Sequence, residues 1–187
     1  YQCDWSSDVC SSDLVYTEHH RLVPAPWIKH TLIDWGISGP KKSWWYKMQL
    51  FNPEHHRGPL LYFDLDTVIT KNIDWIWQLP TDRFWAVQDF KYLFKPGQRT
   101  INSSVMWFNP AQWNYVYQEF DPDEITKVRR WNGDQDYIQE KIPVDQCQYF
   151  PVDQVRSWRW ELKDGGYDFR RRRHLTPGTG TEIGRAH

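Results

Sequence analysis

The chain has 187 residues, with 23 basic and 24 acidic side chains and a net charge of −1 at pH 7. This length suits one domain with a substantial core, and a charge near zero points to neither a nucleic acid nor a membrane surface as a partner. There is no apolar run of about 18 residues, so the sequence predicts no membrane span.

The two ends differ from the rest of the chain. Residues 1–14 and 182–187 resemble translated sequencing-adapter sequence and show no hydrophobic periodicity, so we exclude them from the fold prediction. We expect a single domain over residues 15–181 that is truncated at both ends. Cys147 is the only cysteine in that region, which excludes an internal disulfide and favours a reducing, cytoplasmic compartment.

The first predicted elements are an irregular segment, a helix and a strand. Residues 24–40 are rich in proline and glycine and predict an irregular segment. A helix is predicted over Ser43–Phe51, with Trp44, Met48 and Phe51 on one buried face at positions i, i+4 and i+7. The run that starts at Leu60 is apolar on both faces, which is typical of a buried parallel strand.

Strands and helices continue to alternate along the chain. The pattern predicts short elements in the order helix, strand, strand, helix, helix, helix and strand: Ile73–Leu79, Phe84–Gln88, Ile101–Phe108, Ala111–Phe120, a helix capped by Asp121, a helix that follows Asp134 and runs through Lys141, and Cys147–Pro151. We expect Asp134 to cap its helix. The alternation indicates an α/β fold, with a mainly parallel sheet flanked by helices.

The first chemical motif is a pair of carboxylates. Asp64 and Asp66 follow the apolar run that starts at Leu60. Side chains two apart on an extended strand share a face, so we expect both carboxylates to converge. Two like charges this close need a neutralising cation, and Mn²⁺ or Mg²⁺ held by carboxylates and substrate phosphates is a common solution. The alternative is a solvated strand end with turn-forming aspartates.

Four motifs in order give a resemblance to a known family. They are Lys47 in a helix, Asp64-Leu-Asp66 after a strand, Asn102-Ser-Ser-Val in a second strand, and Asn132-Gly-Asp-Gln-Asp before a helix. Over residues 44–140 this order resembles nucleotide-sugar glycosyltransferases of the GT-A fold, of the glycogenin-like, family 8 type. The resemblance implies transfer of a sugar from a nucleotide-sugar donor, with a UDP-sugar expected, to an acceptor that the sequence does not identify.

The resemblance also implies roles on the donor side. Asp64 and Asp66 would ligate Mn²⁺, or Mg²⁺, which bridges the donor diphosphate, and Lys47 would help to hold the donor. The anomeric configuration would be retained. The alternative for Lys47 is a residue that only decorates the surface of its helix.

Other implied roles surround the sugar. Asn102 would hydrogen-bond the donor sugar, with Ser103 and Ser104 lining the pocket. The catalytic residues would be Asp134 and Gln135, near the sugar and acceptor, and Asp136 in the same motif would bind substrate.

The sequence departs from the family pattern at two points. Ser104 stands where the family usually has glycine, and the downstream segment that supplies a histidine ligand to the metal is absent. We expect the fragment to be inactive as it stands.

Three other interpretations stay open. A haloacid-dehalogenase-type phosphatase would use Asp64 as the nucleophile and Asp66 as the general acid/base. A nucleic-acid-binding or lectin-like protein would use the basic run Arg170–Arg173, although such runs are more often solvated surface. The pairs at residues 19–20 and 55–56 are adjacent histidines without metal-ligand spacing, and we expect them at the surface.

Overall fold

The computed structural model describes most of the central region and short pieces toward both ends. The described residues are 14–16, 28–30, 33–37, 42–56, 58–93, 95, 97, 99–127, 130–162, 167–168, 173–174 and 184–185. The terminal segments that we predict to be foreign sequence lie almost wholly outside these residues. Their origin and the domain bounds therefore stay predictions.

The elements are short and alternate along the chain. The strands are β1 (Leu14–Tyr16), β2 (Ile28–His30), β3 (Leu60–Phe63), β4 (Thr67–Val68), β5 (Phe84–Gln88), β6 (Ile101–Phe108), β7 (Cys147–Tyr149), β8 (Arg156–Ser157), β9 (Tyr167–Asp168), β10 (Arg173–His174) and β11 (Gly184–Arg185). The α-helices are α1 (Lys42–Trp45), α2 (Tyr115–Gln118), α3 (Pro122–Lys127) and α4 (Asp134–Lys141). Segments of 3-10 helix cover Tyr46–Phe51, Asp74–Gln78 and Phe90–Leu93, and a π-helical turn covers Trp158–Leu162.

The central sheet contains four strands in the order β3-β6-β5-β7. β6 pairs antiparallel with both β3 and β5, while β5 pairs parallel with β7. The predicted α/β class is confirmed, but a mainly parallel sheet is wrong for these strands, because two of the three pairings are antiparallel. β3 lies at an edge and is half-buried, so the prediction of a buried parallel strand at Leu60 is also wrong.

Smaller sheets accompany the central one. β1 pairs parallel with β2, and β9 pairs antiparallel with β10. β11 lies between β4 and β8, antiparallel to the first and parallel to the second.

Two apolar clusters cover opposite faces of the sheet, because alternate residues of β6 point to opposite sides. Met106 and Phe108 belong to the larger cluster, while Val105 and Trp107 belong to the smaller one. The larger cluster includes buried residues from the helical elements: Met48, Leu50, Phe51, Val116, Tyr137 and Ile138. Both faces of β6 are therefore covered.

The segment Ser43–Phe51 is helical, as predicted, but its face is different. Most of it winds as a 3-10 helix, in which residues three apart share a face. Trp45, Met48 and Phe51 are accordingly buried, while Trp44 is 47 % exposed. The prediction that Trp44 lies on the buried face is wrong, because it assumed 3.6 residues per turn.

The later helices agree with the sequence in part. Ala111–Phe120 contains only one short α-helix, α2, preceded by turns. The Asp121 cap is confirmed, since its carboxylate accepts the backbone N–H of Asp123 at 2.8 Å. The Asp134 cap is wrong: Gly133 occupies the capping position, and no side chain caps the helix.

The two acidic residues after β3 lie in a turn, so the prediction of an extended backbone there is wrong. The strand ends at Phe63, and the backbone N–H of Thr67 donates to the carbonyl of Asp64 at 3.0 Å. Leu65 stands at the tip of this turn and is fully exposed.

Candidate active site

Polar side chains from four elements gather at one edge of the central sheet, namely the edge formed by the ends of its strands. β3 and β5 end at this edge and β6 begins there, since Phe63 pairs with Val105 and Gln88 pairs with Ile101. The backbone N–H of Asp64 continues the ladder by donating to the carbonyl of Ser104 at 2.8 Å. α4 packs on β6.

Lys47 joins the elements at this edge. Its Nζ lies 3.0 Å from Oδ1 of Asp64 and 2.6 Å from Oδ2 of Asp134. It also donates to Oγ of Ser103 at 3.2 Å. The side chains of Lys47 and Asp134 are about nine-tenths buried, and buried charges of this kind require pairing. We call Lys47, Asp64, Ser103 and Asp134 the polar cluster.

An irregularity in β6 explains how Ser103 reaches this cluster. Ala86 pairs with Met106, whereas the next residue of β5, Val87, pairs with Asn102. Residues 103–105 thus have no partner in β5, and such a bulge redirects side chains at the end of a strand. The Ser103 hydroxyl donates to Oδ2 of Asp134 at 2.9 Å.

The environment of Asp64 favours its ionised form. Burial raises the pKa of Asp64, but the charge of Lys47 and hydrogen bonds from Tyr62 and Ser104 outweigh burial and hold the pKa below its ordinary value. The Tyr62 hydroxyl donates to Oδ1 of Asp64 at 2.6 Å. Asp64 is therefore a carboxylate near neutral pH, with 23 % of its side chain exposed.

Two further predicted residues lie beside the polar cluster. The amide nitrogen of Gln135 donates to Oδ2 of Asp89 at 3.2 Å. Asp89 is buried, and its backbone N–H is held by the carbonyl of Thr100 at 2.8 Å. Oδ1 of Asn102 accepts the backbone N–H of Ser104 at 3.2 Å, which supports the bulge.

Asp136 supports the turn before α4. Its Oδ2 accepts both the backbone and the side-chain N–H groups of Asn132, each at 3.0 Å. Gly133 follows in this turn, and a Cβ placed there would come within 2.9 Å of Cε3 of Trp44. The turn therefore packs closely on α1 and fixes where α4 begins.

The fit of a divalent cation depends on Asp64 and Asp66. Both are partly exposed, and carboxylate oxygens are the ligands that Mg²⁺ and Mn²⁺ take in proteins. Among the described residues, no group of three His, Cys, Asp or Glu side chains is arranged to hold a metal. Two carboxylates together with the phosphate oxygens of a bound ligand fit such an ion, so the donor set is compatible with the prediction.

Sequence reasoning missed two contributors, Tyr62 and Asp89. Tyr62 is two residues before Asp64, the spacing that places side chains of a strand on one face. Asp89 directly follows β5, at the edge where the other polar side chains gather. Both signals were present in the sequence.

The remaining predictions have mixed outcomes. His56 is 9 % exposed, so its prediction as a surface residue is wrong, and burial lowers its pKa to about 4. Residues 19–20 and 170–172 lie outside the described residues. Within the described part of the chain, no helix combines the length and the hydropathy that crossing a bilayer requires.

Comparisons with known proteins give no match to any family model or curated protein. Two solved structures are similar. An active-site mutant of LgtC has a TM-score of 0.50 at 14 % identity, over 77 % of this chain and 57 % of that chain. The galactosyltransferase LgtC in complex with donor and acceptor sugar analogues gives a TM-score of 0.47 with the same identity and coverage.

LgtC is a family 8 glycosyltransferase of the GT-A type. The chain has a GT-A-like fold. This confirms the predicted fold, and at 14 % identity the likeness shows the fold alone. The chain spans a little over half the length of the similar structures.

Proposed function

We propose that the chain is part of a metal-dependent glycosyltransferase that transfers a sugar from a nucleotide-sugar donor to an acceptor hydroxyl. The observation that carries the proposal is the polar cluster at the sheet edge, in which Lys47 lies within 3.0 Å of both Asp64 and Asp134. Sequence resemblance and the fold likeness to LgtC support it independently.

The proposed roles follow the positions of the side chains. Asp64 and Asp66 would hold Mn²⁺ or Mg²⁺ against the diphosphate of the donor, and the bound cation would offset negative charge on the leaving diphosphate. Lys47 adds a fixed positive charge next to the same carboxylate, which suits contact with a phosphate.

The proposed sugar side of the site lies around α4 and β6. Asp134 and Gln135 begin α4 and are held by Ser103 and Asp89 respectively. Asp136 holds the turn that precedes these two residues, and Asn102 bonds to the backbone of Ser104 in the bulge that carries Ser103. A rigid, hydrogen-bonded frame of this kind orients a substrate without paying for reorganisation during the reaction.

The reaction that we propose breaks the bond between the anomeric carbon and the diphosphate and forms a bond from that carbon to the acceptor oxygen. The acceptor proton goes to the leaving phosphate oxygen, so no dedicated protein base is needed. Retention of configuration, a UDP-sugar as donor and a cytoplasmic location rest on the sequence prediction.

The test is binding of UDP to the chain, measured by calorimetry with Mn²⁺ or with a chelator. We expect Mn²⁺ to strengthen binding, and we expect Asp64→Asn and Asp66→Asn to remove that gain. The matched control is Asp153→Asn, because Asp153 is an exposed carboxylate in a turn outside the cluster. Equal UDP affinity with Mn²⁺ and with chelator would overturn the proposal.

The phosphatase interpretation gains no structural support, since the fold likeness is to glycosyltransferases. It predicts a different outcome in the same preparation. Beryllofluoride would attach to Asp64, and UDP binding would not depend on Mn²⁺. The binding-protein interpretation predicts retention on heparin that is lost when residues 170–173 are replaced.

A further inference from the structure

Tyr62 touches two members of the polar cluster. Its hydroxyl donates to Oδ1 of Asp64 at 2.6 Å. Nζ of Lys47 lies over its ring, 5.2 Å from the ring centroid. A cation over the face of an aromatic ring is attracted to it. One side chain therefore contacts both charges of the Lys47–Asp64 ion pair.

The rest of the fold holds Tyr62 in place. Tyr62 pairs with Met106 in the antiparallel ladder between β3 and β6, and its ring packs against the larger apolar cluster. Its hydroxyl is thus a donor fixed in direction.

Asp64 needs such a donor because its charged partner, Lys47, is shared with other residues. Lys47 divides its contacts among Asp64, Asp134 and Ser103. An ammonium group is a point charge with rotatable donors and sets no particular rotation of a carboxylate. The hydrogen bond from Tyr62 sets the rotation of the Asp64 carboxylate at the start of the turn.

We propose that Tyr62 is a positioning residue that orients the Asp64 carboxylate and the Lys47 ammonium toward the cation and diphosphate of the donor. This inference rests on the proposed function. Hydrogen-bond partners that orient a metal-binding carboxylate change metal affinity by about 10- to 100-fold when they are removed. The role acts through Asp64 and Lys47, with no direct contact between Tyr62 and the donor.

The test uses Tyr62→Phe, which removes the hydroxyl and keeps the ring beneath Lys47. We expect the affinity of the variant for Mn²⁺, measured by calorimetry in saturating UDP, to fall about 10-fold or more. UDP binding in chelator should stay within about twofold of the original chain, because the ring and Lys47 remain. Replacement of Tyr62 by 3-fluorotyrosine restores a hydroxyl and should restore the affinity for Mn²⁺.

A matched control separates this role from a general effect on folding. Tyr46 also donates its hydroxyl to an aspartate at 2.6 Å, but its acceptor is the exposed Asp34. Tyr46→Phe should lower the midpoint of thermal unfolding about as much as Tyr62→Phe, and it should leave Mn²⁺ affinity unchanged. An equal loss of Mn²⁺ affinity in both variants would show a structural role and overturn the inference.

The outcomes also separate this inference from the proposed function. If the original chain shows no gain in UDP binding from Mn²⁺, the proposed function fails. If the gain is present and is lost in Asp64→Asn but kept in Tyr62→Phe, the function stands and the role of Tyr62 is overturned.

Discussion

The two halves of β6 have opposite chemistry within a single strand. Its first half contributes Ser103 and Ser104, which are buried and polar, and its second half contributes Trp107 and Phe108, which are buried and apolar. The first half meets Asp64 and Asp134, whereas in the second half Phe108 packs in the larger apolar cluster and Trp107 in the smaller one.

This difference separates the source of stability from the source of chemistry. Burial of apolar side chains stabilises a fold by about 25 cal/mol per Å². Buried charges must recover the cost of desolvation through their pairing, and they often contribute little net stability. The apolar half therefore stabilises the position of the strand, and the polar half presents its side chains to the candidate site from that fixed position.

The largest expected effect lies in the apolar half. Phe108 is fully buried, with its ring 4.6 Å from that of Phe51 and 5.3 Å from that of Phe84. Phe108→Ala should lower the free energy of unfolding by about 3–5 kcal/mol, because it leaves a cavity. Urea unfolding measures this value, and a loss below about 1 kcal/mol would contradict the division between the halves.

The second effect lies in the polar cluster. Lys47→Met leaves two carboxylates without their shared cation and should cost about 3 kcal/mol in urea unfolding. Adding Asp134→Asn removes one of those charges and should recover part of the loss. Additive losses in the double variant would show that the two residues are not coupled.

A smaller loss is expected at Ser103. Its hydroxyl donates to Asp134 and accepts from Lys47, so Ser103→Ala should cost about 1–2 kcal/mol and weaken UDP binding with Mn²⁺. The control is Ser157→Ala, because Ser157 is also buried and accepts the backbone N–H of Trp160 outside the cluster. Unchanged UDP binding in Ser103→Ala would argue against a role of the polar half of β6 in binding the ligand.

The smallest expected effect is a dependence of stability on pH. It arises from His56, which precedes β3 near the apolar end of β6. Burial lowers the pKa of His56 from 6.5 to about 4, so between these values the unfolded chain binds a proton that the folded chain does not. The contribution of the neutral His56 ring to stability is complete above about pH 6.5. It is lost as the pH drops toward 4, by roughly 1 kcal/mol once solvent screening is allowed for.

Urea unfolding at pH 7.5 and pH 4.5 measures the effect of His56. The original chain should lose more stability between these values than His56→Asn, which has no titrating ring. Equal losses in the two proteins would contradict a role for burial at His56.

The elements that the sequence predicts best are bounded by local signals. The strands Phe84–Gln88 and Ile101–Phe108 have the predicted bounds, and the helix Asp134–Lys141 ends where predicted but starts one residue earlier. Asn109-Pro110 ends one of them, and Asn132-Gly133 precedes another. Such residues act within a few positions of themselves, so the sequence alone reveals them.

Other features depend on partners that are distant in sequence. The direction of β3 is set by its pairing with β6, whose partner residues lie 42 to 48 positions away along the chain, and nothing within Leu60–Phe63 encodes that direction. Likewise, Asp134 does not cap its helix, because its carboxylate instead contacts Lys47 and Ser103, which are close in space. The residues of the polar cluster were predictable by type, while their mutual contacts were not.

The bulge in β6 makes the strand tolerant of a change in length at one place. A deletion elsewhere in β6 would shift the pairing by one residue and turn every later side chain to the opposite face. Residues 103–105 have no partner in β5, so deletion of Ser103 leaves the pairs Ala86–Met106 and Val87–Asn102 with β5, and the pair Phe63–Val105 with β3, available. The segment that shapes the candidate site can therefore be shortened while the apolar ladder keeps its alignment.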